Sequence, residues 1–142
     1  MPTMKVRNEV QGVIFDQKNR ELVMLVQKKD RRTPTLHWRL LKGGVNEGEP
    51  EVEALRREIF EETGLKNIKI MGQVHKYEFV FNEVRHRVSS FLVEADSGEP
   101  VKLQESELAG YAWMQLENAN RLLYWRNEKE ALRKLGQSPE LR

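Results

Sequence analysis

The sequence predicts a mixed α/β fold, a sheet covered by helices in layers. Two observations carry this expectation. The 142 residues, 39% of them hydrophobic, suit one domain with one core. Strand-like segments come in two groups, each followed by a stretch of helical period, and sheet plus helices in a small chain pack as layers.

The elements follow in order. VQGVIF (10–15) and ELVMLVQ (21–27) are rich in β-branched and apolar residues, and the turn-like DQKNR between them makes the pair a hairpin. KKDRRTPT (28–35) reads as a charged loop, and HWRLL (37–41) as one short strand running into KGGVNEGE. From Pro50 the period becomes helical. Pro50 suits a first turn, Gly64 suits the position just past the end, and Val52, Leu55 and Ile59 supply the apolar stripe of a helix over 50–63. Residues 67–82 and 87–95 read as two longer strands joined through NEVRH, SGEP (97–100) as a turn, and 107–116 as a segment ending in a strand around Trp113. Helical patterns occupy 118–124 and 127–135, with Asn127 and Glu130 spaced as a capping box. The ordered core is expected over about 4–135, with 136–142 a frayed tail, all within a single domain over 1–142.

Composition narrows the function classes. The chain has no cysteine, so disulfides, thiolate nucleophiles and cysteine-held metals are excluded. No apolar run approaches a membrane span, and the N-terminus lacks the apolar core of a secretory signal, so a cytoplasmic protein with no membrane partner is expected. A net charge of +2 is small for a duplex-binding protein. The acids crowd between Glu47 and Glu62, leaving a basic remainder. A negative site in a positive frame suits a cation-dependent site that receives an anion.

On a helix over 50–63, Glu58, Glu61 and Glu62 fall on one face at i, i+3 and i+4, beside the apolar stripe. Like charges near a helix C-terminus oppose the macrodipole. Arg57 can pair with one of them at i,i+4, but a single guanidinium does not neutralise three acids, whereas a hard divalent cation with oxygen ligands does. A solvated acidic face is the plain alternative, and an ordinary turn is the plain alternative for Gly43, Gly44 and Gly48. Their combination favours a loop that brings main chain close to a cation.

Gly43, then five residues, Glu49, seven residues, and Arg57-Glu58-Ile59-Phe60-Glu61-Glu62-Thr63-Gly64-Leu65 resembles the complete Nudix box. The resemblance extends over about residues 4–135. It implies an α/β/α sandwich in which the box forms a loop–helix–loop on a mixed sheet. It implies hydrolysis of a nucleoside diphosphate linked to another moiety, with Mg²⁺ or Mn²⁺. By similarity, Glu58, Glu61 and Glu62 would hold metal, the Lys42 main-chain carbonyl would add a ligand, and Arg57 would orient the carboxylates. The proton acceptor would be a box glutamate or a later one, with Glu107 preferred over Glu105.

Substrate features are fewer. HWRLLKGG resembles the W-x-x-P-K-G lead-in of diadenosine tetraphosphate hydrolases and the similar segment of RNA pyrophosphohydrolases, with Leu41 in place of the proline, which singles out Trp38 and Lys42. QVHKYEF (73–79) resembles a strand of the small prokaryotic members of that subgroup, which makes Tyr77 a base-binding candidate, with Phe81 four residues on. Residues 117–135 resemble its C-terminal part, which adds Tyr124. Arg7 is a phosphate candidate, and His75 and His86 could reach substrate. The leading expectation is cleavage of a dinucleoside polyphosphate such as diadenosine tetraphosphate to ATP and AMP. A 5′-end RNA pyrophosphohydrolase, a (d)NTP pyrophosphatase and a domain that only binds nucleotide or RNA are the alternatives.

Overall fold

The computed structural model describes residues 4–29 and 35–137. Its strands are β1 (Lys5–Asp16), β2 (Leu22–Lys29), β3 (Leu36–Arg39), β4 (Leu41–Gly44), β5 (Lys69–Phe81), β6 (Val84–Ala95) and β7 (Leu108–Gln115). Its helices are α1 (Glu51–Thr63), α2 (Leu116–Leu122) and α3 (Arg126–Gln137). The sheet runs β3-β2-β1-β6-β5, with β4 also on β1 and β7 on β2. β1 and β6 are parallel from Lys5↔Val84 to Asp16↔Ala95, and the other pairings are antiparallel. The expected mixed sheet with helices is therefore present. No helix among the described residues is long and apolar enough to cross a membrane.

Period-2 alternation builds two cores, one on each sheet face. Val10, Ile14, Met24, Val26, Phe91 and Val93 meet Ala54, Leu55 and Ile59 of α1. Val13, Phe15, Val23, Leu25 and Leu92 meet Ala119, Leu123, Ala131, Leu132 and Leu135 around α2 and α3. Burying Leu55 and Ile59 contributes roughly 2 kcal/mol each, which anchors α1 on the sheet. Val52 departs from the expected stripe. It is 41% exposed, and the buried face runs through Ala54, Leu55, Ile59, Glu62 and Thr63.

The ends of α1 follow the sequence signals. Pro50 supplies an extended N-cap, and Glu51 and Glu53 complement the positive end of the helix. Gly64 adopts φ 76°, and its N–H donates to the Phe60 carbonyl at 2.8 Å, the left-handed cap that glycine permits.

Several boundaries differ from expectation. HWRLL is two strands, since β3 pairs with β2 and β4 with β1. NEVRH is mostly strand. The connection is a tight turn at Asn82 and Glu83, with φ 49° and 63°, matched to hairpin twist. Glu83 is an unusual residue there, which hid the turn. The capping box is absent because α3 starts at Arg126. Asn127 Oδ1 instead meets His75 Nε2 at 3.2 Å, and Glu130 pairs with Arg133. Gly136 and Gln137 continue α3, and the rest of the expected tail lies outside the described residues, as do residues 30–34 of the expected loop.

Candidate active site

Arg57 organises the acidic end of α1. Its Nε and Nη2 donate to the two Glu49 oxygens at 2.9 and 3.0 Å, a fork-on-carboxylate pair. Nη2 also donates to the Gly44 carbonyl at 2.8 Å, and Nη1 reaches Glu58 at 2.9 Å and Glu61 at 3.2 Å. One guanidinium therefore ties β4, the loop and α1 together. It holds the Glu49 carboxyl down to about 2, and Glu49 raises the Arg57 pKa in return.

Gly43 is required by proximity. A Cβ there would lie 2.1 Å from Glu58 Cδ, so the glutamate passes directly over the glycine. A Cβ at Gly44 would lie 2.8 Å from Arg7 Nη2. Burial pushes the Glu58 carboxyl up against the pull of Arg57.

Glu62 is the unusual member of the trio. It is 5% exposed, and its Oε2 has no hydrogen-bond partner. Burial, with Glu58 as the next cause, raises its pKa to about 8. A buried carboxylate oxygen left without a donor is costly, and pairing with a cation relieves that cost. The residues thus fit a hard divalent ion in two respects: the orphaned Glu62 oxygen, and the glycine that lets Glu58 lie against the main chain. Among the described residues no three His, Asp or Glu side chains converge as a closed cation site. Glu58 and Glu61 are instead turned onto Arg57.

A cavity of about 960 Å³ adjoins this end of the molecule. Arg7, Lys28, Arg39, Lys42 and Arg126 make its lining cationic, and Tyr77, Phe79, Phe81 and Trp125 make it aromatic. Lys28 and Glu107 line the cavity and also act electrostatically on Glu62, so cavity and carboxylates are neighbours. Arg39 donates to Glu128 at 2.9 Å and stacks over the Trp125 ring at 4.0 Å. Glu128 also accepts from the Leu40 N–H at 2.6 Å, which fixes α3 to the sheet.

The residues expected from sequence separate into groups. Arg57, Glu58, Glu61 and Glu62 lie at one end of α1, with Glu58 and Glu61 on Arg57 and Glu62 buried apart from it. Arg7, Lys42, Tyr77 and Glu107 line the cavity. The Tyr77 hydroxyl donates to Gln11 at 3.2 Å, and burial pushes the phenol pKa up, so the ring is a wall rather than a mobile clasp. Burial lowers the Lys42 pKa, opposed by Glu9. Trp38 packs against the α2/α3 core and is not part of the cavity wall. Tyr124 is 70% exposed, its ring beside His37 and Trp125 at the rim. Sequence reasoning missed Glu9, Phe79, Arg39 and Glu128. Alternation from His75 through Tyr77 places Phe79 on the same face, so that one was readable.

A NUDIX domain sequence model matches residues 5–135, and the chain belongs to this family. Among curated relatives, the RNA pyrophosphohydrolase of Bartonella clarridgeiae is 40% identical over 45 residues, covering 30% of this chain and 26% of the relative. The RNA pyrophosphohydrolase of Pelagibacter ubique is 25% identical over 136 residues, 84% of this chain and 83% of the relative. The chain spans about a third or less of the length of the first curated relatives it matches. In fold, it is similar to a C. elegans Ap4A hydrolase binary complex, with TM-score 0.79 at 22% identity over 92% of this chain and 96% of the other. The E. coli dihydroneopterin triphosphate pyrophosphohydrolase gives TM-score 0.77 at 20% identity, covering 92% and 96%.

Proposed function

We propose that this chain hydrolyses a phosphoanhydride of a nucleoside polyphosphate, with Mg²⁺ or Mn²⁺ held by Glu58, Glu61, Glu62 and the Lys42 main-chain carbonyl. The observation that carries the reading is the buried, unpartnered Glu62 carboxylate beside a cationic cavity. A bound divalent ion would offset phosphate charge and lower the pKa of an attacking water. The protein supplies the rest. Arg57 fixes the directions of Glu58 and Glu61. Arg7 and Lys42 bind phosphate oxygens from the cavity wall. A Glu107 carboxylate oxygen takes the proton of the attacking water. Positioning and charge complementarity carry most of the rate in phosphoryl chemistry.

For substrate, the proposal is a dinucleoside polyphosphate such as diadenosine tetraphosphate, cut to ATP and AMP. The support is the pairing of aromatic walls with five cationic side chains in one cavity, at the upper end of the size range of ligand pockets. Tyr77 and Tyr124 are the base-contact candidates, the second from the rim. A 5′-end RNA pyrophosphohydrolase is the second reading, favoured by the curated relatives bearing that name. Purified protein incubated with dinucleoside polyphosphates, nucleoside triphosphates and 5′-triphosphorylated RNA, with Mg²⁺ or Mn²⁺ and products resolved by chromatography, tests both. Cleavage of diadenosine tetraphosphate to ATP and AMP supports the first. Faster pyrophosphate release from RNA supports the second. Failure to cut any phosphoanhydride rejects the enzyme reading and leaves a binding domain.

A further inference from the structure

One wall of the cavity contains two side chains, Glu9 and His86, to which the phosphoanhydride chemistry gives no role. Glu9, on β1, is nearly buried. His86 Nδ1 lies 2.6 Å from its Oε1, while Arg7 Nε and Lys42 Nζ stand 3.6 and 3.7 Å from its Oε2. The His86 ring is parallel to Phe79, at 1° and 4.5 Å between centroids, and Lys42 Nζ sits 4.8 Å over the same Phe79 ring. Glu9, Phe79 and His86 all line the cavity. Strand register explains the placement, because Arg7 opposes His86 across the parallel β1–β6 pair, and Phe79 opposes His86 across the antiparallel β5–β6 pair.

The chemistry of this arrangement is directional. A carboxylate only accepts hydrogen bonds, so the short contact places a proton on His86 Nδ1. The ring orientation is fixed twice, by Glu9 at one edge and by Phe79 across its face. In a neutral imidazole with Nδ1–H committed, Nε2 is left as an acceptor. Glu9 already faces two cations in Arg7 and Lys42, and from His86 it needs only the single Nδ1–H.

Building on the nucleotide reading above, we propose that Glu9 is a positioning residue that presents His86 as a hydrogen-bond acceptor in the cavity, where His86 selects nucleotides carrying a matching donor. An exocyclic base amine or a ribose hydroxyl supplies that donor chemistry. A site built to accept a hydrogen bond rejects an analogue lacking the donor, because a desolvated polar group is left unpaired.

Two measurements on the full chain test this, and neither needs turnover. The first is the ¹⁵N spectrum of the histidines. His86 should show a protonated Nδ1 and a bare Nε2, and Glu9→Leu should abolish that pattern. Glu9→Gln should preserve it, since the amide oxygen still accepts from Nδ1, and this variant keeps the test alive if Glu9→Leu fails to fold. A protonated Nε2 in the wild type, or an unchanged tautomer in Glu9→Leu, overturns the proposal. The second compares affinities for ATP, purine riboside 5′-triphosphate and 2′-deoxyATP in chelator. Wild type should bind one of the two analogues about tenfold more weakly than ATP. The purine riboside form identifies the base amine as the donor, and the deoxy form identifies the ribose. In His86→Leu that discrimination should vanish. Equal discrimination in wild type and variant, or no nucleotide binding, overturns it. Absence of catalysis with the tautomer and the affinity ratio intact would instead reject the hydrolase reading alone.

Discussion

Replacing Glu62 with glutamine should make the metal-free protein more stable at alkaline pH. Glu62 is nearly buried, lacks a partner for Oε2, and has its pKa raised from 4.5 to about 8 by burial and then by Glu58. A raised folded-state pKa means that the native state holds the proton where the unfolded chain has released it. The Glu62 contribution is therefore full below about pH 4.5 and is lost as pH rises through about 8. The interval taken whole corresponds to roughly 5 kcal/mol, and local relaxation and water entry bring the expected loss nearer 2–3 kcal/mol. Urea unfolding in chelator, at steps from pH 5 to 9, measures it. Wild type should weaken across this window by about 2 kcal/mol more than Glu62→Gln, and the two curves should converge towards pH 5. Added Mn²⁺ should recover the wild type at high pH but not the variant. Parallel pH profiles for both proteins would refute the claim that Glu62 is a buried charge without compensation.

Other substitutions probe separate joints of the site. Gly43→Ala should cut kcat by about a hundredfold while changing stability by about 1 kcal/mol or less, because its Cβ displaces the flexible end of Glu58 rather than backbone; steady-state kinetics beside thermal unfolding separates the effects. Arg57→Lys should lose the fork on Glu49 and the reach to Gly44, Glu58 and Glu61, lowering kcat by at least tenfold without restoring it at higher cation concentration. Glu128→Ala should destabilise the fold by about 3 kcal/mol in urea, since it leaves half-buried Arg39 without its carboxylate and the buried Leu40 N–H unpaired.

The sequence made the box legible because its signals are local. Pro50, Gly64 and the i, i+3, i+4 glutamates all act within one helix, and α1 appears within a residue of the expected 50–63. Signals that depend on distant partners were not legible. Val52 fits a helical stripe by spacing, yet nothing in the sequence tells which edge of the stripe meets the sheet. The split of HWRLL into β3 and β4 reflects a choice between β2 and β1 as partners. The capping-box spacing of Asn127 and Glu130 lost to a contact with His75, 52 residues away. Glu9 belongs to the same class. It reads as one acid in a polar strand, and only the parallel register of β1 with β6 brings it to His86.

The account rests on Glu58, Glu61 and Glu62 sharing a divalent ion. Mn²⁺ binding followed by electron paramagnetic resonance, in wild type and in Glu61→Gln and Glu62→Gln, tests that most directly when diadenosine tetraphosphate turnover is recorded on the same samples. The expected result is about tenfold or more weaker Mn²⁺ binding in each variant with turnover reduced to background. Wild-type Mn²⁺ affinity and undiminished turnover in both variants would contradict it.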